Sequence, residues 1–254
     1  MPGERLQQRA RGLSRLLEAF LGLLYPAVCR VCYEERASAA EGCVCAACRR
    51  RVRRIEPPFC RKCGHPFAGS ITVEFECGNC RELDLCFSQA RAAAAADERM
   101  LDIIRQYKYH RALWFEPFLA GLLIERAAPE LRAGRWDLIA PTPLHPTRQR
   151  ARGFNQAERL GRRLSRATGV PIEPRLLRRV RPTRSQTRLS RAERVANVRG
   201  AFALRKPRRL DGLRIALVDD VLTTGSTCSA CAEPLLQAGA AEVGVWTVAR
   251  AAGV

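Results

Sequence analysis

Residues 215–227 read Ile-Ala-Leu-Val-Asp-Asp-Val-Leu-Thr-Thr-Gly-Ser-Thr, and their types and spacing suit the chemistry of phosphate and sugar recognition. Four apolar residues lead into two adjacent carboxylates, Asp219 and Asp220, and then into a glycine- and hydroxyl-rich turn. Such a run suits a strand of a parallel sheet buried on both faces. If the turn opens a helix, free N–H groups and the positive end of the helix dipole converge on one point, where an anion binds. Gly225 permits close approach of the backbone, and Thr223, Thr224, Ser226 and Thr227 add hydroxyl donors. The carboxylates at the strand end suit the 2′,3′-diol of a ribose or a divalent cation. No G-x-x-x-x-G-K-[ST] run is present, which excludes a Walker-type ATP site.

A second chemistry lies upstream. Cys29 and Cys32, Cys45 and Cys48, Cys60 and Cys63, and Cys77 and Cys80 form four C-x-x-C pairs. Each pair turns two thiolates to one side, and two pairs complete a tetrahedral zinc site. The gaps between pairs favour two tandem ribbons, Cys29/Cys32/Cys45/Cys48 and Cys60/Cys63/Cys77/Cys80, with about two structural zinc ions per chain. A cross-braced pairing and disulfides remain alternatives. Cys228 and Cys231 mimic a ligand pair but fall in the helix expected after the phosphate turn, where they read as buried thiols.

The chain has 254 residues and a formal charge of +19, from 44 basic and 25 acidic residues. The excess is local: residues 148–209 carry 20 Lys or Arg against 3 acidic residues, a net of +17. That segment, just upstream of the phosphate motif, would attract pyrophosphate, a nucleotide or a nucleic-acid backbone. Leucines and Phe20 at helical spacing predict an amphipathic lead-in helix over 1–26, with a signal peptide as the rival reading. Its apolar core is shorter than the about 20 residues of a membrane span and contains Glu18, so no span is expected. Metal-ligating cysteines suit a reducing compartment, and a cytoplasmic location is expected.

The remaining elements must position the motif. A strand is expected over 87–96, a helix carrying Met100, Ile103, Ile104 and Tyr107, and a second helix over about 112–127. A short strand at 137–140 meets Pro141, Pro143 and Pro146, which force a rigid turn. A helix over 155–168 follows, with Asn155 as its cap, then a basic loop around 178–194. The motif strand, its helix to Gln237 and a last strand at 242–249 complete the chain. Strands alternating with helices make the fold class α/β, with a mostly parallel sheet and flanking helices behind a small N-terminal double zinc ribbon. The expected division is 1–26 for the lead-in helix, 27–86 for the double ribbon and 87–254 for the α/β domain. Ligands of such sheets bind beyond the carboxyl ends of the strands, where Asp219 to Thr227 lie.

The 215–227 segment resembles the 5-phosphoribosyl 1-pyrophosphate (PRPP) signature of type I phosphoribosyltransferases. The chain from about Leu24 onward resembles the ComF proteins, phosphoribosyltransferase-like proteins associated with bacterial DNA uptake. That resemblance rests on the paired cysteines, Tyr107-Lys-Tyr-His110, Pro141-Thr-Pro-Leu-His-Pro146 and Arg152-Gly-Phe-Asn-Gln-Ala157. Gln186-Thr187, Leu189-Ser-Arg-Ala-Glu-Arg194, Asn197-Val-Arg-Gly-Ala-Phe202 and the PRPP motif complete it. It implies a type I phosphoribosyltransferase-like fold that binds PRPP with Mg²⁺. Asp219 and Asp220 would meet the ribose hydroxyls, and Thr223, Thr224, Gly225, Ser226 and Thr227 would cradle the 5′-phosphate.

By the same resemblance, Pro143 belongs to a pyrophosphate loop, with Lys108, Arg148 and Arg152 as cationic partners of the departing group. His145 is read as a packing residue. Thr223 stands where some purine-type relatives carry a carboxylate, and a threonine cannot act as a general base near neutral pH. Two functions follow. One is a phosphoribosyltransferase of unspecified acceptor. The other is a single-stranded DNA-binding factor that uses the fold as a scaffold and works with cytosolic DNA-processing proteins.

Overall fold

The computed structural model describes residues 27–67, 69, 71, 73–181, 198 and 200–251. The lead-in helix expected over 1–26 lies outside these residues, as do the motif positions 186–194 and 197. By contact the chain divides between Arg51 and Val52. In the smaller unit, helix α1 (Ala46–Arg50) starts at Cys45, whose side chain accepts the Cys48 N–H.

The larger unit is built on four parallel strands in the order β1-β6-β5-β2. These are β1 (Gln89–Ala95), β2 (Leu138–Pro141), β5 (Arg214–Leu222) and β6 (Glu242–Arg250). The α/β class with a mostly parallel sheet is therefore observed. Before the sheet comes the one-turn helix α2 (Gly78–Glu82). The others are α3 (Glu98–Tyr109), α4 (Glu116–Glu130), α5 (Pro146–Arg152), α6 (Gln156–Thr168) and α7 (Ser226–Gln237).

The apolar run of β5 serves both faces of the sheet by alternation. A side chain at Gly161 of α6 would meet Val218 and Ile139, which marks one face. Ile215 and Leu217 join the opposite core with Cys228, Cys231 and Leu235 of α7. The two cysteines are buried there, as expected, and belong to neither four-sulfur group.

The same core contains Cys60, Cys63, Cys80, Leu85 and Phe87. The segment after Val52 also hydrogen-bonds along β1: Ile55 N–H donates to Ala93 at 3.1 Å, and Ala95 N–H donates to Arg53 at 2.8 Å. Ala90 N–H donates to Lys62 at 2.7 Å. These bonds satisfy backbone groups that an edge strand would otherwise expose. The second cysteine module is thus grouped by contact with the larger unit, whose core Cys60, Cys63 and Cys80 share.

A basic loop was expected around 178–194, but its described part differs. Leu177–Arg179 forms β3 and pairs antiparallel with β4 (Phe202–Leu204). Leu177 and Phe202 are both buried, and that burial draws the strands together.

Candidate functional site

The two cysteine groups assemble in tandem, each with its four Sγ atoms within 4.8 Å of one another. Sulfur separations are 3.8 Å for Cys32–Cys45 and Cys60–Cys80, 3.6 Å for Cys63–Cys77 and 3.7 Å for Cys77–Cys80. A zinc ion with Zn–S bonds of about 2.3 Å holds tetrahedral sulfurs about 3.8 Å apart, so the donor set fits zinc. The two sites also repeat one backbone device. Cys45 N–H donates to Cys29 Sγ, and Cys77 N–H to Cys60 Sγ, each at 3.3 Å. Hydrogen bonds from Cys63 and Cys80 hold the Cys60 thiol far below its usual range. Cys29 is brought down to about 6, where backbone N–H groups of Cys32 and Cys45 outweigh burial.

The second assembly lies at the carboxyl end of β5. Asp219 and Asp220 end the buried run, and Gly225, with φ of 87°, turns the chain into α7. A Cβ at Gly225 would lie 3.2 Å from the Phe87 ring, so both the conformation and the packing require glycine. Thr224 and Ser226 are buried, and their hydroxyls bond each other at 2.8 Å. Thr223, Gly225 and Thr227 instead line a cavity of about 360 Å³, together with Lys108, Asp219 and Asp220.

Lys108, in the last turn of α3, reaches Asp220 with Nζ to Oδ1 at 2.7 Å. Asp220 Oδ2 is buried and has no hydrogen-bond partner among the described residues. Asp219 is raised to about 7, by burial and then by the neighbouring Asp220 charge, against the opposing pull of Lys108. A crowded acidic pair with one unsatisfied buried oxygen is a suitable acceptor set for sugar hydroxyls or a divalent ion.

Other expected site residues stand apart from this cavity. Pro143 lies in the turn after β2, which starts beside β5 through Thr142 N–H to Val218 at 2.9 Å. It lines a second cavity of about 840 Å³ with Arg162, Arg175, Arg178, Arg179 and Arg205. Arg152 ends α5 with its guanidinium 5.1 Å from the Tyr109 ring and bonded to Gln156. Arg148 is exposed on α5. His145, half-buried, caps the N-terminus of α5 by accepting the Thr147 N–H at 3.4 Å, a role beyond the packing one expected. Asn155 caps α6 as expected, and its amide also donates to Thr142 at 3.0 Å, which braces the proline-rich turn.

Two site-supporting residues escaped the sequence. Glu116, at the start of α4, is buried and accepts bonds from Arg159 and Arg163 of α6 and from the Tyr107 hydroxyl. The arginines lie four apart, a spacing that marks one helix face. Arg250, at the end of apolar β6, is also buried. A lone charge closing an apolar strand was the available signal.

The family described as a double zinc ribbon domain matches residues 20–81, across both cysteine clusters. Competence protein F of Haemophilus influenzae is 32% identical over 216 residues, 84% of this chain and 92% of that protein. The chain belongs to the ComF family. A further ComF relative, DNA utilization protein YhgH of Escherichia coli, is 32% identical over 231 residues, 90% of this chain and 99% of that protein. Competence protein ComFC of Bacillus subtilis is 26% identical over 211 residues, 82% of this chain and 84% of that protein. Among solved structures, a purine phosphoribosyltransferase from Pyrococcus horikoshii covers 53% of this ComF chain and 84% of its own, at 18% identity and a TM-score of 0.35. Likeness that loose carries no argument. The parallel sheet and flanking helices stand on the chain's own geometry.

Proposed function

We propose that this ComF protein binds PRPP, or a closely related phosphoribosyl ligand, with Mg²⁺ at the carboxyl end of β5, and that it does so in the service of DNA uptake. The uptake role is carried over from relatives named for competence and DNA utilization. The observation behind the ligand is one cavity lined by Lys108, Asp219, Asp220, Thr223, Gly225 and Thr227. Asp219 and Asp220 take the ribose hydroxyls, and the turn with the first amides of α7 takes the 5′-phosphate. Thr224 and Ser226 shape that turn from beneath. Mg²⁺ would be held between ligand oxygens and the acidic pair and would offset the pyrophosphate charge.

Lys108 is the cation best placed for the pyrophosphate, by exchanging Asp220 for a phosphate oxygen. Arg152, whose guanidinium lies over Tyr109 of the cavity lining, serves from the rim, and Pro143 contributes through the turn after β2. Pentosyl transfer to an unspecified acceptor is the activity the site would support, in the cytoplasm. Calorimetry of full-length protein with PRPP and Mg²⁺ tests the reading. Binding lost in Asp219→Asn/Asp220→Asn supports it, and unchanged affinity in that double variant would sink the assigned site.

A second reading is favoured by the arginine-lined cavity beside Pro143. Five guanidinium groups around an open cleft suit the backbone of single-stranded DNA. Affinity for an oligonucleotide should fall steeply with salt, and binding indifferent to salt would count against it.

A further inference from the structure

Arg250 ends β6 at 3% exposure. Its guanidinium donates to the carbonyls of Cys63 at 3.2 Å, Leu222 at 3.3 Å, Ala251 at 2.6 Å and Thr223. The remaining bond goes to Cys63 Sγ at 3.5 Å. The four carbonyl acceptors are uncharged, whereas the sulfur belongs to the second cysteine cluster and is a thiolate when that cluster holds zinc. A buried cation requires opposing charge. Four thiolates around one divalent zinc retain net negative charge, so the cluster supplies what the carbonyl dipoles do not. Arg250 is therefore an outer partner of that metal site as well as a clamp on the turn.

Two neighbouring contacts point the same way. Asn79, between ligands Cys77 and Cys80, donates from its side chain to the Thr224 carbonyl at 3.4 Å. Gly225 lies so close to Phe87 and Leu85, in the chain leaving the cluster, that an added Cβ would meet them at 3.2 and 3.6 Å. Thr223 and Thr224 of the phosphate turn are thus bonded by the charge partner of the second ribbon and by the ribbon itself, and Gly225 lies close to the chain that follows it. Nothing in the chemistry of a purely structural zinc requires that.

We propose that Arg250 is a positioning residue that links zinc in the Cys60–Cys80 cluster to the phosphate turn, so that the turn holds its anion-binding shape only when that cluster is metallated. The proposal rests on the reading of the turn given above and assigns it a regulator: zinc occupancy of the second ribbon, and with it the redox state of the thiols that hold the metal. With the metal withdrawn, the sulfurs take up protons, the counter-charge facing the guanidinium weakens and its hold on Thr223 loosens. The coupling must be reciprocal, so a bound ligand strengthens retention of that zinc.

The test uses the full-length, zinc-loaded chain and its Arg250→Met and Arg250→Lys variants. Arg250→Met should keep about two zinc ions yet bind PRPP with Mg²⁺ about tenfold or more weakly in calorimetry, with Arg250→Lys in between. Amide exchange by mass spectrometry should speed up over 222–229 in Arg250→Met while 29–48 stays unchanged. PRPP should slow chelator-driven zinc loss in the unmodified protein and fail to do so in Arg250→Met. Unchanged affinity and unchanged exchange at 222–229 would overturn the proposal. If the unmodified protein binds no PRPP, the ligand reading falls alone. Exchange at 222–229 before and after zinc removal then decides the coupling, faster supporting it and unchanged overturning it. The same measurement decides if Arg250→Met does not fold.

Discussion

Lys108 Nζ lies 2.7 Å from Asp220 Oδ1, with the lysine side chain 18% and the aspartate 6% exposed. The pair joins the last turn of α3 to the carboxyl end of β5 and closes the cavity with its own charges. A phosphoribosyl ligand satisfies both groups only if they separate, the carboxylate to a hydroxyl and the ammonium to a phosphate. On the proposed reading, ligand binding would exchange the partners of this ion pair.

Removing one member leaves the other buried and unpaired, which costs roughly 2–4 kcal/mol for a pair of this burial. Asp220→Asn should lower thermal stability by that order and abolish Mg²⁺-dependent PRPP binding. Lys108→Met should weaken PRPP by about tenfold and affect ribose 5-phosphate, which lacks the pyrophosphate, far less. Calorimetry with the two ligands separates these effects, and equal losses for both would refute a pyrophosphate role for Lys108.

Asp219 supplies a pH dependence. Its folded pKa is raised to about 7 from 3.8, by burial and by Asp220. Between those values the folded chain holds a proton that the unfolded chain releases, so stability falls as pH rises through that window. The contribution is fully present below the unfolded value and lost above the folded one. Asp219→Asn should flatten the curve of melting temperature against pH between about 4 and 7. Binding runs the other way. A cation or a ribose diol needs the carboxylate, so PRPP affinity should rise as pH passes through 7. A flat affinity profile from pH 6 to 8 would remove Asp219 from the binding set.

Glu116 is held below the usual carboxylate range, because bonds from Arg163 and Arg159 outweigh its burial. Its contribution is present above the unfolded carboxylate value and is lost as pH falls through the lower folded one. Both arginines are partly exposed, so solvent screens the pairs and Glu116→Gln should cost about 1–3 kcal/mol. Burial first, and the Glu116 charge second, push Tyr107 far above an ordinary phenol. Ultraviolet titration of Glu116→Gln should show that phenol brought down but still above its ordinary value. Because Tyr107 precedes Lys108 on α3, PRPP affinity should fall as well.

The two zinc sites should fail differently. Cys29→Ser and Cys60→Ser should each reduce zinc content to about one ion per chain. Cys60 belongs to the core of the larger unit, so its loss should lower the main thermal transition by several degrees. Cys29→Ser should leave that transition in place. Elemental analysis and calorimetric melting distinguish the two, and identical melts would contradict the division at Arg51.

The zinc ligands, the motif strand and its turn were legible because the information is local. A C-x-x-C turn brings its two sulfurs together by itself, and an apolar run followed by Asp-Asp and Thr-Thr-Gly-Ser-Thr states its strand, turn and helix in consecutive residues. Helix α6 and its Asn155 cap were legible for the same reason. The β3–β4 pairing was not, since three-residue strands carry too little periodicity and their partners are far apart in the chain. The capping role of His145 was not legible, because a histidine before Pro146 caps a helix by a single local bond that its residue type does not announce.

The sequence by itself determined the chemistry on offer: four C-x-x-C pairs, a strand ending in two carboxylates and a turn suited to phosphate, while the tandem pairing of the cysteines came from the fold. Tertiary structure alone decided which distant charges meet that chemistry. It brought Lys108 to Asp220, set Glu116 beneath Tyr107 and placed Arg250 between Cys63 and Thr223. It also left Pro143 in a separate arginine-lined cavity. The physical reason is the cost of burying charge. A buried ion is tolerated only where the fold delivers a partner, and that partner is chosen by packing across the sheet, which neighbouring residues in the chain do not encode.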